Sequence, residues 1–201
     1  MPQQKLLFIG DSISRVSGGN VANGQRFPVA LYNSLTGQRP IYDNAAIPGV
    51  EVTTVISSFQ SIVLDRTRVN DLVFCMIAIN DLRGGASVAT AQANILTLAN
   101  LCLTNSRFFV HCTNIPGRLS GDPANVPQNA LTLAGNMIAL PSYYTAQVNP
   151  SLDPMFNSVT SHQNTTNFFD GLHPTDVGFD RLASIALPVV QPLINNSIGQ
   201  W

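Results

Sequence analysis

Four short polar blocks hold the side chains of this chain most able to do chemistry. They are Gly10-Asp11-Ser12, Asn44 to Gly49, Asn80-Asp81 and Asp170-Gly171-Leu172-His173-Pro174. Together they offer a hydroxyl, carboxylates, carboxamides and an imidazole, the groups that nucleophilic and acid–base chemistry uses. Gly10 permits a tight turn directly after the apolar run Leu6-Leu7-Phe8-Ile9. Ser12 is therefore expected above the carboxyl edge of a sheet, where open α/β sheets place their ligands. The bland role for Ser12 is a helix cap, because Asp11-Ser12-Ile13-Ser14 offers small polar side chains where a helix would begin. His173 has Asp170 three residues before it, whereas neither His111 nor His162 has an acid at that spacing.

The elements that must position these blocks alternate between two periods. Leu6–Ile9, Asp71–Ile79 and Arg107–Cys112 are continuous apolar runs, as expected of strands covered on both faces. Arg39–Tyr42 and, more weakly, Tyr143–Val148 read as further short strands. Helical spacing places Phe27, Ala30, Leu31 and Leu35 on one face of a helix closed by Gly37. Val52, Val55, Ile56, Phe59 and Val63 likewise share a face of a helix over 52–64. Ser87 is placed to cap a helix reaching about Leu103. Pro127–Leu140 reads as helical with an interruption at Gly135, and Ser17–Gly24 and Thr113–Val126 read as loops. Ser151–Thr166 shows no pattern. From Thr175 a last helix turns Val177, Phe179, Leu182, Ile185 and Ala186 inward, with Pro188 and Pro192 limiting its length. Strands alternating with helices, with no repeat or linker, predict one domain over 1–201: a three-layer α/β/α sandwich on a mainly parallel, flavodoxin-like sheet. In a parallel sheet the carboxyl ends of the strands share one edge, so the four blocks are expected to meet.

In these four blocks, in this order, the chain resembles the SGNH hydrolases, also called the GDSL esterase/lipase family. The resemblance runs from Ser12 to His173, and Asp-Gly-Leu-His-Pro before a helix is its most specific part. It implies a serine hydrolase without metal or organic cofactor. Ser12 would be the nucleophile, His173 its base and Asp170 the group that orients the imidazole. The backbone N–H groups of Ser12 and Gly49 and the side-chain amide of Asn80 would form the oxyanion hole. One departure stands out: the family usually carries Gly two residues before the Asn, and this chain has Ala78. The added methyl is expected to be tolerated while altering the strand end or the acyl pocket. Asn44 is expected to tie its loop, Asp11 to bond within its own turn, and Asp81 to brace the loop beside Asn80.

Composition narrows the partners. The 201 residues carry 10% charged side chains and a net charge of -1, with Lys5 the only lysine. No basic stripe recommends nucleic acid or an anionic membrane, and no apolar run reaches 18 residues, so no membrane span is expected. An amide- and hydroxyl-rich surface suits work outside a cytosol on neutral polar polymers. The four apolar residues after Lys5 are too few for a signal-peptide core. Cys75, Cys102 and Cys112 lack metal-ligand spacing and are expected to be small buried hydrophobes. His111 is expected to be a satisfied core or strand-end residue and His162 a surface one. Arg83 and Arg118, in loops near the expected cleft, are read as solvated loop arginines in preference to substrate contacts, and Tyr143 and Tyr144 as half-buried in preference to a sugar-stacking platform. Asn164-Thr165-Thr166 and Asn195-Asn196-Ser197 fit the glycosylation pattern, which short sequences often match by chance.

The resemblance implies a small-molecule or carbohydrate ester as substrate. A neutral polar surface favours small acyl groups, with O-acetyl groups on carbohydrate the specific expectation. Three alternatives compete: an acyltransferase using the same site, a catalytically silent carbohydrate-binding module, and a flavodoxin-like nucleotide binder. The last lacks a glycine-rich phosphate loop after the first strand.

Overall fold

A computed structural model describes residues 3–15, 27–68 and 71–196. The expected loop at Ser17–Gly24 lies outside them, as does the last residue of Asn195-Asn196-Ser197. Five strands form one sheet: β1 (Lys5–Gly10), β2 (Ile41–Asn44), β3 (Leu72–Met76), β4 (Phe108–Cys112) and β5 (Ala146–Val148). Their spatial order is β2-β1-β3-β4-β5, and every neighbouring pair is parallel. The strand order reverses between β1 and β3, which is where this topology opens a crevice above the carboxyl edge. β1 and β3 lie in the middle and are apolar along almost their whole length, because helices cover both of their faces.

Right-handed crossovers put helices on both faces of such a sheet, because the direction in which strands are added reverses after β2. On one face α1 (Phe27–Ser34) packs against α6 (Asp176–Asn196); on the other α4 (Val88–Asn105) packs against α2 (Val52–Ser57) and α5 (Val126–Ile138). Phe8, Phe27 and Phe74 form one aromatic cluster under α1, with ring centroids 5.3 to 6.1 Å apart. Ser87 caps α4 by accepting the Thr90 N–H at 3.0 Å, one of the orphan donors at a helix start.

Several elements differ from their sequence signals. The apolar run 71–79 is strand only as far as Met76; Ala78 then takes φ 96° and the short helix α3 (Ile79–Arg83) begins. Asn80 therefore stands in the first turn of a helix rather than at a strand end. The helical face over 52–64 is split into α2 and a π-turn at Gln60–Leu64; periodicity alone cannot see a change of hydrogen-bond register. The β2 and β5 strands start later than expected, at Ile41 and Ala146, with a 3₁₀ turn at Pro141–Tyr143 taking the place of the latter's start. α5 runs through Gly135 without a break.

α6 continues through both Pro188 and Pro192, although each removes one backbone N–H from the helix ladder. Burial of Phe179, Leu182, Ala186, Val190 and Ile194 along the face toward the core and α1 offsets that loss. Val177 falls on the opposite face and is 53% exposed, not inward. By length and mean hydropathy α6 could cross a membrane; here its apolar face serves the protein core.

Candidate active site

The site begins where β1 must stop. Gly10 has φ 141°, and a Cβ there would lie 2.1 Å from the Met76 carbonyl oxygen on β3, so only glycine lets the two central strands stay paired to this point. The chain then makes a hydrogen-bonded turn, with the Ser14 and Arg15 N–H groups donating to the Asp11 carbonyl. Asp11 Oδ1 accepts the Ile13 N–H at 3.0 Å, the local bond expected of an aspartate in such a turn. This turn raises Ser12 above the edge with 8% of its surface exposed.

From the far end of the chain, Asp170-Gly171-Leu172-His173 supplies the partners. Asp170 Oδ1 accepts the N–H groups of Leu172 and His173 at 2.9 and 2.7 Å, closing a tight turn on its own side chain. Asp170 Oδ2 lies 2.7 Å from His173 Nδ1, and His173 Nε2 lies 2.8 Å from Ser12 Oγ. Burial would raise the Asp170 carboxyl, but the His173 N–H, the imidazole and the Leu172 N–H outweigh it and hold it below the ordinary value. An ionised Asp170 can only accept, so the proton sits on Nδ1 and Nε2 is left free to accept from Ser12. Phe169 stacks on the imidazole, with centroids 5.6 Å apart and planes within 17°. Gly171 has φ 88°, and a Cβ there would strike the Arg118 carbonyl at 2.6 Å; the Arg118 N–H donates back to the Gly171 carbonyl at 2.8 Å.

The second and third blocks converge on the same edge and are bonded to each other. The Ile47 N–H donates to the Gly10 carbonyl at 2.9 Å, which ties the Asn44–Gly49 loop to the Ser12 turn. Asn44 braces the loop twice, donating to the Ser14 carbonyl at 2.9 Å and accepting the Ala46 N–H at 3.0 Å. Gly49 takes φ 76° at the loop's exposed tip. Among the described residues, the N–H groups of Ser12 and Gly49 donate to no protein acceptor. Asp81 accepts the N–H of Val52 at 3.1 Å and so anchors the start of α2. Asn80 donates from Nδ2 to the Val50 carbonyl at 3.1 Å, and its second Nδ2 hydrogen has no acceptor among the described residues.

Arg83 departs from the sequence reading. It is not a solvated loop arginine: its Nη1 donates to Asn80 Oδ1 at 2.9 Å and its Nε to Asp122 Oδ2 at 2.7 Å. Asp122 also accepts the Leu119 N–H at 2.7 Å. Burial pushes the Asp122 carboxyl up, but the Arg83 bond and the Leu119 N–H hold it below its ordinary value. The sequence held no signal for this link, because 39 residues separate Arg83 from Asp122.

Asp11 is fully buried, and loss of solvation raises its carboxyl to about 7. His111 lies buried in β4, as expected of a core histidine, but it is not satisfied. Both ring nitrogens lack a hydrogen-bond partner among the described residues, its ring stacks on Tyr144 at 5.4 Å, and burial lowers its pKa to about 4. Cys75, Cys102 and Cys112 are free and buried, and no metal-binding cluster occurs among the described residues.

The carboxyl edge of the parallel sheet thus carries a hydroxyl, an imidazole and a carboxylate hydrogen-bonded in line. Residues 6–185 match the family described as GDSL-like Lipase/Acylhydrolase, and the chain belongs to that family. No curated protein matches this sequence. A member of the lipolytic G-D-S-L family from Veillonella parvula has the same fold, with TM-score 0.74 and 16% identity over 92% of this chain and 97% of that one. TesA superposes with TM-score 0.72 and 22% identity, covering 94% of this chain and 99% of its own. A catalytic mutant of an acetylxylan esterase from Geobacillus stearothermophilus gives TM-score 0.66 and 17% identity over 95% and 94% of the two chains.

Proposed function

We propose that this protein is a serine esterase that hydrolyses carboxylic esters of small acyl groups through an acyl-enzyme on Ser12. One observation carries the reading: the unbroken relay from Asp170 Oδ2 through His173 to Ser12 Oγ, at 2.7 and 2.8 Å. Ser12 Oγ attacks the ester carbonyl carbon while its proton passes to His173 Nε2. The carbonyl oxygen becomes an oxyanion that accepts from the N–H groups of Ser12 and Gly49 and the second Nδ2 hydrogen of Asn80. As the carbon–oxygen bond to the alcohol breaks, the leaving oxygen takes the proton back from Nε2. Water then gives a proton to Nε2 and attacks the acyl carbon; the acyl carbon–Oγ bond breaks as Ser12 Oγ takes that proton back, releasing the acid and restoring the free hydroxyl and neutral imidazole. Through both halves Asp170 keeps the imidazole in one tautomer and stabilises its charged form.

The substrate we infer is an O-acetyl group on carbohydrate. A charge-poor composition with a net charge of only -1 supports this, as does a fold shared with an acetylxylan esterase. The test is a panel of p-nitrophenyl acetate, butyrate and octanoate beside acetylated xylo-oligosaccharide, with Ser12→Ala as the blank. Ser12→Ala should fall to background, and acetyl esters should be turned over fastest. Wild-type turnover by Ser12→Ala would refute the mechanism, and a preference for octanoate would refute the acyl-size assignment.

A further inference from the structure

We propose that Arg83 is a positioning residue that sets the orientation and donor strength of the Asn80 amide, with Asp122 as its anchor. This rests on the reading of Asn80 as an oxyanion donor. A primary amide can turn over about its last torsion, and a turned Asn80 would present Oδ1, an acceptor, to a developing negative charge. Two partners forbid that. Guanidinium only donates, so Arg83 Nη1 at 2.9 Å holds Oδ1; a carbonyl only accepts, so Val50 at 3.1 Å holds one Nδ2 hydrogen. The remaining hydrogen then has a single direction. A cationic donor on Oδ1 also draws electron density from the amide and strengthens Nδ2 as a donor, as charge-assisted bonds in a chain do.

Asp122 completes the device. Its Oδ2 takes Arg83 Nε at 2.7 Å, and the Arg83 and Asp122 side chains are only 24% and 12% exposed. A bond to Nε fixes the plane of the guanidinium that presents Nη1 to Asn80. It also compensates the charge, so that Arg83 can polarise the amide without acting as a bare cation beside an imidazole that must accept a proton. Asp122 belongs to the 113–125 stretch, which also bonds the His173 turn through the Arg118 N–H and the Gly171 carbonyl. One loop thus supports both the amide and the base.

The test is a double-mutant cycle in kcat and KM for p-nitrophenyl acetate. Asn80→Ala should lower kcat by about a hundredfold, the usual loss on removing one oxyanion donor. Arg83→Met should lower kcat by about tenfold or more with KM within about twofold, since the amide's contribution is made in the transition state. In the Asn80→Ala background Arg83→Met should add less than about a twofold loss, because residues acting through one bond are not additive. Arg83→Lys, which keeps a donor and the charge, should recover part of the rate. If Arg83→Met does not fold, Asp122→Asn takes its place in the cycle and should show the same pattern. Losses that multiply in the cycle would overturn the proposal, as would full kcat in the Arg83 or Asp122 variant beside a slow Asn80→Ala. Full kcat in Asn80→Ala would overturn the reading of Asn80 and this proposal with it.

Discussion

Replacing Asp11 with Asn should change how the stability of this protein depends on pH. Asp11 is fully buried, its Oδ1 accepts the Ile13 N–H, and its Oδ2 has no partner among the described residues. Loss of solvation, opposed mainly by the Ile13 N–H, moves its pKa from 3.8 to about 7. The folded protein therefore holds this proton more tightly than the unfolded chain does. Below pH 3.8 both states are protonated and the group costs nothing. Between 3.8 and about 7 the unfolded chain gains by ionising, so stability falls as pH rises; above 7 the whole loss is present. Over the full window the gap corresponds to about 4 kcal/mol. Between pH 5 and pH 8 about 3 kcal/mol of it is expressed. Asn keeps the acceptor at Oδ1 and cannot ionise. It places an unpaired amide nitrogen at the Oδ2 position, a cost of about 1–3 kcal/mol that does not vary with pH. The variant is thus expected to gain on the wild type by about 3 kcal/mol on going from pH 5 to pH 8. With a urea slope of about 2 kcal/mol/M, the two midpoints should move relative to each other by about 1.5 M. Parallel midpoint-versus-pH curves would show that Asp11 is ionised in the folded protein and would refute the argument from its burial.

His111 should act with the opposite sign. Its pKa is depressed by burial from 6.5 to about 4, so its contribution is intact above pH 6.5 and is lost as pH falls through 4, about 3 kcal/mol in all. His111→Phe keeps a ring against Tyr144, and its urea midpoint should fall less than that of the wild type between pH 7 and pH 4.5. Gly10→Ala would force Cβ to 2.1 Å from the Met76 carbonyl oxygen at φ 141°, and should cost more than about 3 kcal/mol; a wild-type urea midpoint would show that β1 and β3 are not so close. Ala78→Gly should be nearly neutral. Relief of the left-handed backbone at φ 96°, about 1–2 kcal/mol, is offset by loss of a buried methyl and by the freedom of glycine in the unfolded chain. A melting temperature shifted by more than about 4 °C would contradict that balance.

The sequence by itself determined the class of fold. Runs such as Leu6–Ile9 and Val73–Met76 are apolar at every position, which only a sheet covered on both faces can use. The polar blocks that follow β1 and β3, and the one before α6, are legible because each gathers its polar side chains within a few residues of an apolar run. The tight turn of Asp170 to His173 is local and so is written in three-residue spacing. What only the tertiary structure decided depends on groups far apart in the chain. Helix α6 passes through Pro188 and Pro192 because its buried face offsets two lost hydrogen bonds, a balance no local propensity contains. The last residues of the run 71–79 leave the sheet because a left-handed Ala78 starts a helix. Arg83 reads as a loop cation until folding places Asn80 on one side of its guanidinium and Asp122 on the other. Charge pairing of this kind is decided by three-dimensional approach and not by residue type, and spacing along the chain could not reveal it.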